Sequence, residues 1–170
     1  MIAVSCKRRG VCPSCGAKRA VKFAEHIHSQ VIEDVPHRHT VFTIPKRLRG
    51  FFKYDRKLNT ILFRAAWGAL PDVLGVDGRE LAAIFTVQTA GEALNYHPHL
   101  HGLLADGYWK DSVFTSFSEV DLKAIEDAFA ERVLAQLHEQ ELISDDDVAS
   151  TSSAEQRRYS LRTIRVLAYG

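Results

Sequence analysis

Residues 95–104 read NYHPHLHGLL and set His97, His99 and His101 at every second position. In a strand, residues i, i+2 and i+4 project from one face, so the three imidazoles point the same way. Imidazole is a common ligand for divalent cations, and neighbours on a strand can grip one ion from one side. Reach limits the set. His97 and His101 are roughly 13 Å apart along an extended strand, whereas a metal–nitrogen bond is about 2 Å. One ion therefore takes an adjacent pair. Pro98 puts His97 at a strand start or edge, which leaves His99 and His101, with apolar Leu100 between them. The competing reading is a half-exposed strand face with satisfied imidazoles. Repetition of the spacing, running into an apolar strand, favours the metal.

A second ligand cluster opens the chain. Cys6, Cys12 and Cys15 form C-x5-C-x2-C, followed by Lys18 and Arg19. Close thiolates beside basic residues point to zinc in a reducing compartment. A structural zinc site wants four ligands, and His26 or His28 is close enough in sequence to complete the set. The alternative is a leftover half-site of thiols.

The third signal is electrostatic. Residues 1–58 carry 13 Lys/Arg against 4 Asp/Glu, whereas residues 118–148 carry two against ten, so a net charge of +1 hides a basic half and an acidic helix. A basic half suits a polyanion such as nucleic acid. Lys46, Arg47, Arg49, Lys53 and Tyr54, with Phe51 and Phe52 among them, are the residues that would line a single-strand groove: cations track phosphates and rings stack on bases. Otherwise the two phenylalanines are core residues of a short helix with a solvated basic face.

These groups need a scaffold. AVKFAEHIHSQVIEDV has Val21, Ala24, Ile27, Val31 and Val35 at helical spacing, ending before Pro36. HRHTVFTI is β-branched and aromatic and reads as a strand. LNTILFRAAWGALPDVLG reads as a helix, with Asn59 as a possible N-cap and Pro71 as a kink or stop. LAAIFTVQTA and HPHLHGLLADGYW read as two further strands, joined in hairpin fashion by AGEALNY. SEVDLKAIEDAFAERVLAQLHEQELI is the clearest helix. Its apolar stripe is Leu122, Ile125, Phe129, Val133 and Leu137, and Ser118 with Asp121 resembles a capping box. From Thr151 the chain is polar, then basic: a short terminal strand at LRTIRVLAY, or an unstructured tail. The expected fold class is α/β (α+β), an antiparallel sheet with packed helices.

With 170 residues and 46% hydrophobic composition, the chain suffices for one domain with a modest core. No apolar run reaches the roughly 18 residues of a membrane span, and the N-terminus is too short in apolar residues for a secretory signal. A cytoplasmic, intracellular location is the expectation.

HPHLHGLL followed by ADGYW resembles the His-hydrophobic-His strand of the HUH endonucleases. More narrowly, it resembles the rolling-circle insertion-sequence transposases that use two tyrosines. CPSCGAKRA is similar to the end of that family's zinc-binding region. DVPHRHTVFTIPKRLRGFF is similar to its first core strand and following basic segment, and IFTVQTAGEALNYHPHLHGLLADG to the run leading into its metal strand. The likeness covers roughly residues 4–149. It implies an HUH-like core at residues 21–150, a partial Cys-rich zinc knuckle at residues 1–20 and a divergent tail at residues 151–170.

The resemblance also implies chemistry. The histidine pair, His99 and His101, with a third polar ligand (Gln88 on the preceding strand) would hold Mg²⁺ or Mn²⁺. The metal polarises a phosphate of single-stranded DNA, and a tyrosine attacks to give a 5′-phosphotyrosine and a free 3′-hydroxyl. The family's tyrosine helix follows the acidic helix, and its likeness is lost from about Thr151. Tyr159 and Tyr169 are the remaining nucleophile candidates, while Tyr54, Tyr96 and Tyr108 are expected to be structural or DNA-contacting. The expectation is a transposase truncated at both ends, which binds DNA or metal without cleaving. The rivals are a zinc-knuckle nucleic-acid-binding module and a histidine-metal hydrolase unrelated to DNA.

Overall fold

A computed structural model describes residues 13–91, 95–152 and 160–166. These divide at Asp34/Val35 into two units. The first contains helix α1 (Pro13–Gln30). It begins earlier than the apolar spacing suggested, so Cys15 lies in its first turns. Val21, Phe23 and Val31 on or just beyond it are exposed.

The second unit is a four-stranded antiparallel sheet with helices on one face. Its strands are β1 (His37–Thr43), β2 (Ala83–Ala90), β3 (Tyr96–Ala105) and β6 (Ser160–Val166), in the order β2-β3-β1-β6. Of the two readings of the tail, the strand is the one found: β6 pairs along β1 from Thr43↔Ser160 to His37↔Val166. The single long strand expected over residues 97–109 is two. Asp106 ends β3 because its polar groups are drawn out of the ladder. Its N–H donates to the Pro36 carbonyl, its carbonyl accepts from Phe117 N–H, and Arg38 reaches its carboxylate at 2.7 Å. The chain then forms a separate hairpin, β4 (Gly107–Lys110) and β5 (Val113–Ser116). Asp111 and Ser112 both take positive φ in its two-residue turn.

Alternation in β1 and β3 separates two faces. Phe42, Leu100 and Leu104 are buried beneath α2 (Arg49–Tyr54), α3 (Asn59–Leu74) and α4 (Leu122–Glu139), while the residues between them are only half-buried. Phe42 packs against Phe129 of α4 at 5.0 Å between ring centres. Ala65, Ala66 and Ala69 give α3 a flat buried side that permits close helix contact. Gly102 faces this core, and a Cβ there would come within 2.6 Å of Thr40 Oγ1 and 2.7 Å of the Phe85 ring.

Two helix boundaries differ from expectation. Pro71 does not stop α3, which runs to Leu74. Proline in the last turn forfeits one hydrogen bond, and this is offset by the packing of Val73 and Leu74 against the core and by a left-handed cap at Gly75. Asn59 is the first residue of that helix, and its side chain makes no cap bond. In α4 the cap is Asp121 itself, whose carboxylate accepts from Ala124 N–H at 2.9 Å, in place of the Ser118 box. A last short helix, α5, spans Asp145–Ser152.

Candidate metal centre

The sheet face opposite the helices collects the histidines. β3 lies between β1 and β2, with His99 registered against Thr43 and Gln88, and His101 against Val41 and Thr86. Directly paired residues project to one side, so His97, His99 and His101 share their face with His39 of β1 and Gln88 of β2. The rings of His99 and His101 are 4.9 Å apart at 58°, and those of His97 and His99 are 5.2 Å apart. An open groove lined by His39, Thr86, Gln88, His101 and Leu103 runs over this face.

Hydrogen bonding constrains the ring protons. His99 Nδ1 is 2.7 Å from the His97 carbonyl oxygen. A carbonyl only accepts, so Nδ1–H donates, and the neutral ring keeps a bare lone pair on Nε2. His101 is held at both nitrogens: Nε2 is 2.9 Å from Gln88 Oε1, and Nδ1 is 3.1 Å from His39 Nε2. Burial, the largest cause, pushes the pKa of His101 down, assisted by the charges of His99 and His39. His97 is also lowered, first by burial and then by Arg49 and His99. Both shifts favour the neutral imidazole, the form that can ligate a metal.

Two imidazoles and an amide oxygen on one face are donor types that a divalent cation accepts. Gln88 Oε1 and His101 Nε2 are 2.9 Å apart, joined by a hydrogen bond. No set of three His, Cys, Asp or Glu side chains is arranged for a metal among the described residues. An amide oxygen, Gln88 Oε1, lies on the same face. His97 Nε2 is buried without a hydrogen-bond partner, and a side chain on Gly91 would come within 2.8 Å of the His97 Cβ.

The basic residues line two pockets that share Gly50. Lys46, Arg49 and Lys53 line a pocket with Asn95 and Tyr96, at the His97 end of β3. Arg47 and Tyr54 line a different one, with Gln140 and Leu142, and Arg47 donates to the Asp147 carbonyl at 2.6 Å. Tyr54 is 86% exposed, with Lys53 Nζ 5.7 Å from its ring centre. Phe52 is fully buried, which removes it as a stacking platform, whereas Phe51 is half-buried, packs against the core and lines the pocket that holds Tyr54. Tyr96 donates its hydroxyl to the Phe52 carbonyl at 2.6 Å, and burial raises its pKa.

Cys6, Cys12, Tyr159 and Tyr169 lie outside the described residues. His39 is the site residue the sequence reading passed over. Its signal was present, since His37 and His39 alternate in HRHT as the β3 histidines do.

Comparison with known proteins gives two family matches. The model of a transposase zinc-binding domain matches residues 1–44, and one described as "Putative transposase" matches residues 82–165, past Thr151 and through β6. Among curated proteins, the chain is similar to the "Transposase for insertion sequence element IS801" of Pseudomonas savastanoi pv. phaseolicola. The two are 35% identical over 109 residues, covering 61% of this chain and 26% of that protein. It is also similar to the "Putative transposase y4qJ" of Sinorhizobium fredii, 28% identical over 107 residues, again covering 61% of this chain and 26% of the relative. The chain thus matches about a quarter of the length of these relatives. No solved structure matches.

Proposed function

We propose that this chain is part of a rolling-circle insertion-sequence transposase, as its matches to transposase families and to an insertion-sequence transposase support, and that its histidine face holds Mg²⁺ or Mn²⁺ against the backbone of single-stranded DNA. The observation that carries this reading is the meeting of His99, His101 and Gln88 on one open face.

When bound, the cation supplies Lewis-acid polarisation of a phosphoryl oxygen. The chain's own residues do the rest. His99 Nε2, left bare by the bond from Nδ1–H to the His97 carbonyl, and His101 Nε2 supply nitrogen ligands, and Gln88 supplies oxygen. Lys46, Arg49 and Lys53, in the pocket at the His97 end of β3, bind the phosphates leading to the site. In the intact family a tyrosine hydroxyl is the nucleophile, and Tyr159 and Tyr169 are the candidates that remain in this chain. The tyrosine oxygen bonds to phosphorus, the P–O3′ bond breaks, and the 3′-oxygen leaves as a hydroxyl with a 5′-phosphotyrosine behind it. Cys6, Cys12 and Cys15 hold zinc in the N-terminal region.

The match of residues 1–44 to a transposase zinc-binding domain favours a second reading, a nucleic-acid-binding module without nuclease activity. One experiment separates the two. The purified chain is incubated with 5′- and 3′-labelled single-stranded oligonucleotides and Mn²⁺. Protein joined covalently to the 5′ end of the released fragment supports cleavage. Binding without an adduct supports the module. Neither binding nor adduct rejects both. An adduct that persists after Tyr159→Phe and Tyr169→Phe places the nucleophile elsewhere.

A further inference from the structure

We infer that His39 is a positioning residue for the metal ligand His101, accepting its Nδ1 proton and fixing the plane of its ring. This rests on the reading of the histidine face as a metal site.

The argument begins with geometry. His39 Nε2 and His101 Nδ1 are 3.1 Å apart, and the two ring planes differ by 15° with centres 5.3 Å apart. Face-to-face rings would touch at about 3.5–4.0 Å. A centre distance of 5.3 Å between nearly parallel planes instead places the rings edge to edge, in line through the nitrogen contact. That is the arrangement in which an N–H of one ring points at the lone pair of the other, and in which rotating either ring breaks the bond. His39 is itself secured in mid-strand, registered against Leu103 on one side and Ile164 on the other.

Proton accounting then assigns the role. A histidine that binds a metal through one nitrogen carries its proton on the other and gives it to an acceptor. His99 has such an acceptor in the His97 carbonyl. For His101 the group at Nδ1 is His39 Nε2. In the metal-free chain, His101 Nε2–H donates to Gln88 Oε1, and Nδ1 accepts from His39 Nε2–H. With a cation on His101 Nε2, the proton there is lost to solvent. The Nε2 proton of His39 would then pass to His101 Nδ1, which donates back to His39 Nε2, while His39 takes a solvent proton on its own Nδ1, so that one proton leaves the pair and one returns. The hydrogen bond stays and its direction reverses. A side chain with only a donor, or with neither, cannot serve both states.

The test uses the whole chain and two readouts. Imidazole ¹⁵N chemical shifts report the His101 tautomer directly. The expectation is Nε2–H in the metal-free protein and Nδ1–H with saturating Mg²⁺. Free Mn²⁺ counted by electron paramagnetic resonance reports affinity. His39→Phe is expected to weaken Mn²⁺ binding about 10–100-fold, in the range for loss of an outer-shell partner. His39→Gln, whose amide both donates and accepts, is expected to restore most of it. Wild-type affinity in His39→Phe, or a His101 tautomer that does not change with metal, overturns the inference while leaving the metal site standing. Absence of Mn²⁺ binding by the wild-type chain overturns the metal site and this role with it. Should His39→Phe fail to fold by circular dichroism, the wild-type tautomer readout still decides.

Discussion

The amide oxygen of Gln88 lies 2.9 Å from Nε2 of His101, although the residue registered against Gln88 across the strands is His99. The side chain therefore leans along the sheet by one pair of residues, toward the groove that His101 and His39 line. An amide that served only to satisfy a ring nitrogen would be replaceable by any acceptor or by water. An amide that ligates a cation would not. Gln88→Leu is expected to weaken Mn²⁺ binding about tenfold or more, and Gln88→Glu to strengthen it, because a carboxylate oxygen adds charge at the same place. Titration of Mn²⁺ into each variant checks this; three equal affinities remove Gln88 from the ligand set.

Burial lowers the pKa of His97 and His101 below the ordinary value of 6.5. A histidine depressed in the folded state binds fewer protons there than in the unfolded chain, over the window between its lowered pKa and 6.5. Stability therefore rises with pH across that window, is complete above it, and is lost as pH falls through it. Urea unfolding of the chelator-treated chain at pH 7.5 and pH 5.5 is expected to show lower stability at the acid value. His97→Gln and His101→Gln should each flatten the difference. A slope unchanged in the double variant would place the acid sensitivity elsewhere.

How much of this site was legible beforehand depended on the range of the interaction. The shared face of His99 and His101 follows from the two-residue period of a strand, a purely local property. Gln88 could be placed on the neighbouring strand for the same reason. His39 could not be joined to them, because its contact with His101 spans 62 residues and depends on β1 lying beside β3. The basic segment is divided by its local turns. Lys46, Arg47, Arg49 and Lys53 are neighbours in sequence, but short helical turns send Arg47 to one pocket and the other three to another. Asp106 looked like part of a continuing strand, and only Arg38, Pro36 and Phe117 brought round it explain why the strand ends there.

That Asp106 pair makes its own prediction. The aspartate side chain is wholly buried and that of Arg38 is 21% exposed, with Nε and Nη2 both on Oδ1 at 3.0 and 2.7 Å. Removing the cation leaves a carboxylate in a low-dielectric site, which costs on the order of 3 kcal/mol. Arg38→Met is expected to destabilise by that order. Adding Asp106→Asn should recover part of the loss, since the uncompensated charge is then gone. Urea midpoints of the two single variants and the double variant measure the coupling; additivity to within about 0.5 kcal/mol would mean the pair is not interacting.

The division of the basic residues can be read out by salt. Binding to a single strand weakens with ionic strength by a slope of about 0.7 per phosphate neutralised. Lys46, Arg49 and Lys53 share a pocket beside the histidine strand, so Lys46→Gln and Lys53→Gln should each reduce that slope by about 0.7. Arg47→Gln should change it less, because the Arg47 guanidinium sits in the other pocket, bonded to the Asp147 carbonyl. Tyr54, which shares that second pocket and is 86% exposed, separates the paths further. If the strand crosses both pockets, Tyr54→Ala loses about 1–3 kcal/mol of stacking with no change in slope. Fluorescence anisotropy of a labelled oligothymidine at several salt concentrations checks all four variants. Equal slopes for Lys46→Gln, Lys53→Gln and Arg47→Gln would mean that the phosphates do not distinguish the pockets, and the route past the histidines would have to be redrawn.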